Sequence, residues 1–191
     1  MAKLEGKPQV YLLTVRHLLG PSGGFPQLIV PDQVASFVTA IRLQYLFVPA
    51  SKPYRVEGLK VPESADVKAP LFDVTIFKAK DAWASDAATI TADKPAMGET
   101  LWVISHVAGG VGKGQYVHPA KVTENGERWL VCEFENPQIV TSGASGAPVL
   151  NAAGKIVGIY SGHGGEPGKV KAYVIPSSLI AKVIKGESVS P

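Results

Sequence analysis

The chain has 191 residues, 46% of them hydrophobic and 18% charged, and 19 Lys and Arg against 16 Asp and Glu leave a formal net charge of +3. That apolar share excludes intrinsic disorder, and so small a charge without a basic run argues against nucleic acid as the main partner. No apolar stretch approaches the roughly 18 residues of a membrane-spanning helix, so no membrane partner is expected.

The 20 glycines and 15 prolines exceed the roughly 12% of average usage and divide the chain into many short segments, as in an all-β protein. Cys132 is the one cysteine, so no intramolecular disulfide forms; this fits a reducing cytosol and also many exported proteins without disulfides. The opening MAKLEGKPQ lacks the basic-then-apolar pattern of a signal peptide. The compartment stays open: periplasmic or secreted if a signal peptide was removed, otherwise cytoplasmic.

Period-two alternation bounded by Gly, Pro, Asn or Asp marks the strands. The first is predicted over residues 9–15. A second is predicted over 37–47, with Thr39, Ile41, Leu43, Tyr45 and Phe47 on one face, although Val34, Phe37, Val38 and Ile41 also fit a helix. Strands at 54–59 and 73–78 follow. Residues 80–95 are small, polar and charged and read as a crossover between units at 1–88 and 89–191. Beyond it come strands at 101–107, 117–124, 129–134, 148–150, 156–161 and 172–175. Asn125-Gly126 and Ala153-Gly154 mark two hairpins. Ser177 or Ser178 caps a helix with Leu179, Ile180, Val183 and Ile184 on its apolar face, Lys182 and Lys185 in its last turn and Gly186 beyond.

The densest chemical signal is SGASGAPVLN over 142–151. Ser145 stands between Gly143 and Gly146, residues that allow a positive φ and bring backbone N–H groups close to a substrate. The N–H groups of Gly143 and Ser145 would form an oxyanion hole. Taken alone, the segment also fits a Gly-rich turn entering a strand. His17 ends an apolar strand, where a histidine often serves packing. Asp73 opens a buried-looking strand, which costs free energy unless the carboxylate is partnered. The order His17, Asp73, Ser145 is one of the chain orders of a Ser-His-Asp triad.

The words around these residues resemble the chymotrypsin/trypsin-like serine peptidases. TVRHLL is similar to T-A-x-H, DVTIF to D-[IV]-A-L-L, SGASGAPVLN to G-x-S-G-G-P-[LV], and GKIVGIYSGHGG to G-x-[VI]-V-G-I-x-S-x-G. The resemblance is nearest to disulfide-free bacterial members such as the high-temperature-requirement proteases, though no PDZ-like extension is expected after the helix. It implies two packed antiparallel β-barrels with a C-terminal helix and a cleft between them. His17 and Asp73 would come from the first barrel and Ser145 from the second. The implied activity is serine endopeptidase, cutting a polypeptide substrate through an acyl-enzyme without metal or cofactor, in a monomer. Ser145 would be the nucleophile, His17 the base and acid, and Asp73 the group that orients the imidazole.

The resemblance also places the substrate-binding residues: Ile139 and Val140 at the floor of the first side-chain pocket, and Ser161, Gly162 and His163 along its edge. Ile139 offers no carboxylate to pair with Lys or Arg, so small or medium apolar side chains are expected there, with Glu135 the one acidic rival. Ala144 stands where digestive members carry Asp, so no activation through a cleaved N-terminal amine is expected. Val15 and Ala147 depart from the family's Ala and Gly, and only 16 residues precede His17. These departures keep two alternatives open: a catalytically silent module that binds peptides, and a hydrolase of small esters. Residues 109–114 (GGVGKG) read as a flexible loop, since no Ser or Thr follows the Gly-Lys pair. His106 and His118 read as surface or packed residues rather than metal ligands, and Cys132 as a small core residue.

Overall fold

The structure, a computed structural model, describes residues 1–30, 33–38, 41–42, 53–54, 56–60, 73–79, 87–105 and 116–187. Alternation of burial shows why the strands form. In Thr100–Ser105, Leu101, Val103 and Ser105 are buried while the residues between them are half-buried, the pattern of a strand with one face on a core.

The strands are β1 (Ala2–Leu4), β2 (Val10–Thr14), β3 (Ile41–Arg42), β4 (Pro53–Tyr54), β5 (Val56–Lys60), β6 (Thr75–Ala79) and β7 (Ala88–Ile90) in the first half. The second half carries β8 (Thr100–Ser105), β9 (Tyr116–Asn125), β10 (Leu130–Phe134), β11 (Pro148–Leu150), β12 (Ile156–Glu166) and β13 (Lys169–Pro176). Two α-helices are described, α1 (Val34–Phe37) and α2 (Ser177–Lys185). The main sheet runs β11-β8-β9-β10-β13-β12-β7-β1-β2-β6-β5, and a further β11–β12 pairing closes β8 to β13 into a six-stranded antiparallel barrel. Among the described residues the first half shows the ladder β5-β6-β2-β1 and the separate pair β3–β4.

Three expectations need correction. The strand predicted from 37 does not begin there: Val34–Phe37 is helical, as the competing apolar spacing allows, and β3 starts at Ile41. The stretch 80–95 is not wholly irregular, because β7 pairs in parallel with both β1 and β12, a departure from an all-antiparallel design. Three residues are too few to display a period, so tertiary pairing alone defines that strand. Finally, β12 and β13 run well past the predicted 156–161 and 172–175, pairing as far as Glu166 with Lys169. Gly162, Gly164 and Gly165 disguise this extension, yet two are sterically required. A Cβ on Gly164 would meet the Tyr173 ring at 2.8 Å, and one on Gly165 the Lys169 carbonyl at 2.0 Å. Residues 39–40, 43–47, 80–86 and 106–115, including His106 and the GGVGKG loop, lie outside the described residues.

Both hairpins are present. At Asn125-Gly126 the connection is wider than a two-residue turn, with the Gly126 N–H donating to the Trp129 carbonyl at 2.8 Å. At Ala153-Gly154 the Asn151 side chain accepts from the Ala153 and Lys155 N–H groups, and Gly154 takes φ +71. Helix α2 ends as expected at Gly186, φ 76, but neither serine caps its start: Pro176 holds the N-cap position and no side chain caps the helix.

One buried cluster positions the site. Val15, Val74, Ile159 and Ile175 pack with Leu179, Ile180, Val183 and Ile184 of α2. Val15 lies two residues before His17, Val74 follows Asp73, and Ile159 lies two before Ser161. Each such side chain contributes about 1.5–3 kcal/mol when fully buried, so the backbone beside His17, Asp73 and Ser161 is fixed by the same core. A second cluster fills the barrel around Phe134, Tyr160 and Ala172.

Candidate active site

At the end of β2 the chain leaves the ladder through Val15 and turns into a short 3-10 segment, Arg16–Leu19. Two consecutive N–H groups of that turn face Asp73: Arg16 donates to its main-chain carbonyl at 3.2 Å, and His17 donates to Oδ1 at 2.9 Å. The imidazole then folds back, with Nδ1 lying 2.9 Å from Oδ2 and 3.2 Å from Oδ1. A carboxylate accepts only, so it selects the tautomer with the proton on Nδ1. Nε2 is left as an acceptor, and Ser145 Oγ stands 2.9 Å from it.

Asp73 is 5% exposed, and its carboxylate is well partnered. Besides the two His17 groups it accepts a short hydrogen bond from Ser161 Oγ. The sequence reading gave Ser161 only as an edge residue of the pocket; its side chain instead turns to Asp73, while its carbonyl lies 3.5 Å from Ser145 Oγ. Arg16 is also buried, and burial pushes its guanidinium down while the Asp73 charge pushes it up. Val15 is fully buried in the inter-half core, and the larger side chain does not displace His17 from its two partners.

Ser145 sits in a turn held from both sides. The Ala144 N–H donates to the Thr141 carbonyl, the Gly146 N–H to the Tyr160 carbonyl and the Tyr160 N–H to the Ala147 carbonyl. Gly143 and Gly146 take φ of +87 and +86, conformations that L side chains rarely adopt. At Gly146 space is short as well, since a Cβ would lie 3.0 Å from Thr14 Oγ1. This glycine is where the Ser145 turn meets the end of β2. The N–H groups of Gly143 and Ser145 donate to no acceptor among the described residues. Ala144 is buried in the barrel core, which anchors the loop.

Around this centre, Ile139 is half-buried against the barrel core and Val140 is 59% exposed. Gly162 and His163 follow Ser161 along β12, and His163 is exposed. Glu135 is exposed just beyond β10. Cys132 is buried, and burial pushes its thiol up to about 12, which keeps it protonated and unreactive. His118 is half-buried beside the Tyr116 and Phe134 rings. Among the described residues no group of three or more His, Cys, Asp or Glu is placed to hold a metal ion. No helix among them is long and apolar enough to cross a membrane.

Solved structures share this fold. A serine endoprotease from Yersinia pestis superimposes with a TM-score of 0.59 at 18% identity, covering 96% of this chain and 54% of its own. An HtrA-type protease, AlgW, with a decapeptide gives 0.57 at 18%, covering 94% and 50%. The chain therefore spans about half the length of these two. A Glu endopeptidase in complex with MPD gives 0.59 at 12% identity, covering 97% and 88%. No curated protein matches the chain. The trypsin-like peptidase domain matches residues 5–159, a span that contains His17, Asp73 and Ser145, and the chain belongs to that family.

Proposed function

We propose that the protein is a serine endopeptidase in which Ser145, His17 and Asp73 act as a catalytic triad. The observation that carries this reading is the continuous hydrogen-bonded line from Ser145 Oγ through His17 to Asp73, with 2.9 Å at both imidazole nitrogens. Ser145 Oγ attacks the carbonyl carbon of the peptide bond as its proton passes to His17 Nε2. The imidazolium so formed is stabilised by Asp73. The oxyanion is met by the Gly143 and Ser145 N–H groups, which have no other acceptor among the described residues. Nε2 then returns the proton to the leaving amine, and water repeats the sequence on the acyl-enzyme.

The reading divides the chain at 88/89, so the base and its orienting acid belong to one half and the nucleophile to the other. The polypeptide substrate lies along the edge of β12 at Ser161, Gly162 and His163 as an added strand. Ile139 and Val140 face the side chain before the cut bond. Val140, an apolar residue 59% exposed next to the nucleophile turn, supports an apolar occupant. The chemistry proceeds with the chain's own side chains.

Labelling with a fluorophosphonate probe followed by mass spectrometry tests this. The probe is expected on Ser145 in the wild type and absent from Ser145→Ala, with cleavage of a denatured protein substrate lost in parallel. Cleavage that survives Ser145→Ala would overturn the reading.

A further inference from the structure

Past Tyr160, β12 pairs with β13 along one edge only among the described residues. The last backbone–backbone bonds on its other edge are the two between Tyr160 and the Ser145 turn, from the Gly146 N–H to the Tyr160 carbonyl and from the Tyr160 N–H to the Ala147 carbonyl. A substrate strand laid on the open edge brings its scissile carbonyl to Ser145. On the reading proposed above, the side chain before the cut bond lies between β12 and the loop at 139–143.

Register identifies the residues that meet it. Tyr160 pairs with Val174 and His163 with Ala172, and both partners belong to the barrel core, so Tyr160 and His163 share the inner face of β12. His163 is exposed at the rim, whereas Tyr160 is 1% exposed. The Tyr160 ring lies 6.4 Å from that of Phe134, and Phe134 meets His118 edge-on at 6.5 Å. Ile139 packs on the same cluster from the loop side. Rings drawn from β12, β10 and β9 thus follow one another inside the barrel, starting at the residue whose backbone bonds the Ser145 turn.

We infer that Tyr160 sets the depth of the substrate pocket beside Ser145, with Phe134 behind it, so that the enzyme cuts after small side chains of the size of Ala or Val and excludes Leu, Phe, Lys and Arg. This rests on the peptidase reading and narrows its substrate class. A rigid aromatic floor discriminates by size. Each methylene gained or lost in such a pocket changes kcat/KM by about 10- to 200-fold.

The test uses peptide p-nitroanilides identical except for Ala, Val, Leu or Phe before the cut bond, with active sites counted by fluorophosphonate titration. In the wild type, kcat/KM for Ala or Val is expected to exceed that for Phe by at least about tenfold. Tyr160→Val should raise the Phe-to-Ala ratio by at least about tenfold, and Phe134→Leu, on β10, should move it the same way. The Phe134 variant keeps the test decisive if Tyr160→Val does not fold. A wild type that cuts after Phe as readily as after Ala overturns the inference while leaving the peptidase reading intact. So does preferential cutting after Glu, which points to His163, or an unchanged ratio in a folded variant. A wild type that neither cuts nor labels at Ser145 takes down both.

Discussion

Ser161→Ala removes a single hydroxyl from the site and isolates what the Ser161–Asp73 contact contributes. Asp73 is almost fully buried and accepts from His17 N–H, His17 Nδ1 and Ser161 Oγ. A hydrogen bond to a charged group contributes about 1.5–3 kcal/mol. In a protein of this size each kcal/mol corresponds to about 2–4 °C of melting temperature, so the variant should melt about 3–12 °C lower. The two His17 contacts survive, so the imidazole keeps its tautomer. A loss of orientation of about 1.4 kcal/mol in the transition state corresponds to about a tenfold fall in kcat. Scanning calorimetry and steady-state kinetics on a peptide p-nitroanilide read the two effects. If the variant melts at the wild-type temperature and turns over at the wild-type rate, the Ser161 hydroxyl does not support Asp73 and the argument fails.

Asp73→Asn should lower kcat by about four orders of magnitude, because an amide N–H facing Nδ1 selects the wrong tautomer; a loss below tenfold would contradict the triad geometry. Gly146→Ala should cost about 1–2 kcal/mol for its left-handed backbone, and more because Thr14 Oγ1 must move from a contact of 3.0 Å. Its melting temperature and kcat should therefore fall together. Burial holds the His118 imidazole below its ordinary value. With the folded value depressed, the stabilising contribution is present above the unfolded value of about 6.5 and is lost as pH falls through the folded one. Urea midpoints measured from pH 8 to pH 5 should drop less steeply in His118→Phe than in the wild type, and identical slopes would count against it.

His17, Asp73 and Ser145, which the structure brings within hydrogen-bonding distance, were legible because each sits in a distinctive local context. Ser145 needs glycines on both sides, and their φ values of +87 and +86 show why. Asp73 at the head of an apolar strand demanded a partner, and it has several. Ser161 was seen only as an edge residue because its link to Asp73 spans 88 positions and leaves no local mark. The strands β1 and β7 were missed for a related reason: three residues cannot express a period, and neighbouring strands alone hold them extended. At β12 glycine misled in the other direction. Gly164 and Gly165 lie beyond the strand predicted at 156–161, yet they are small because Tyr173 and the Lys169 carbonyl occupy the space a side chain would need.

The cluster that joins Val15, Val74 and Ile159 is completed by four side chains of α2, and α2 follows every residue of the site in the chain. Synthesis runs from the N-terminus, so His17, Asp73 and Ser145 all leave the ribosome before the helix that fixes the strands beneath them. A nascent chain therefore holds His17 and Asp73 without part of the core that supports the strands beside them. On the proposed reading, the support beneath His17 and Asp73 is completed only when α2 docks, so a chain stopped short of α2 is expected to lack activity.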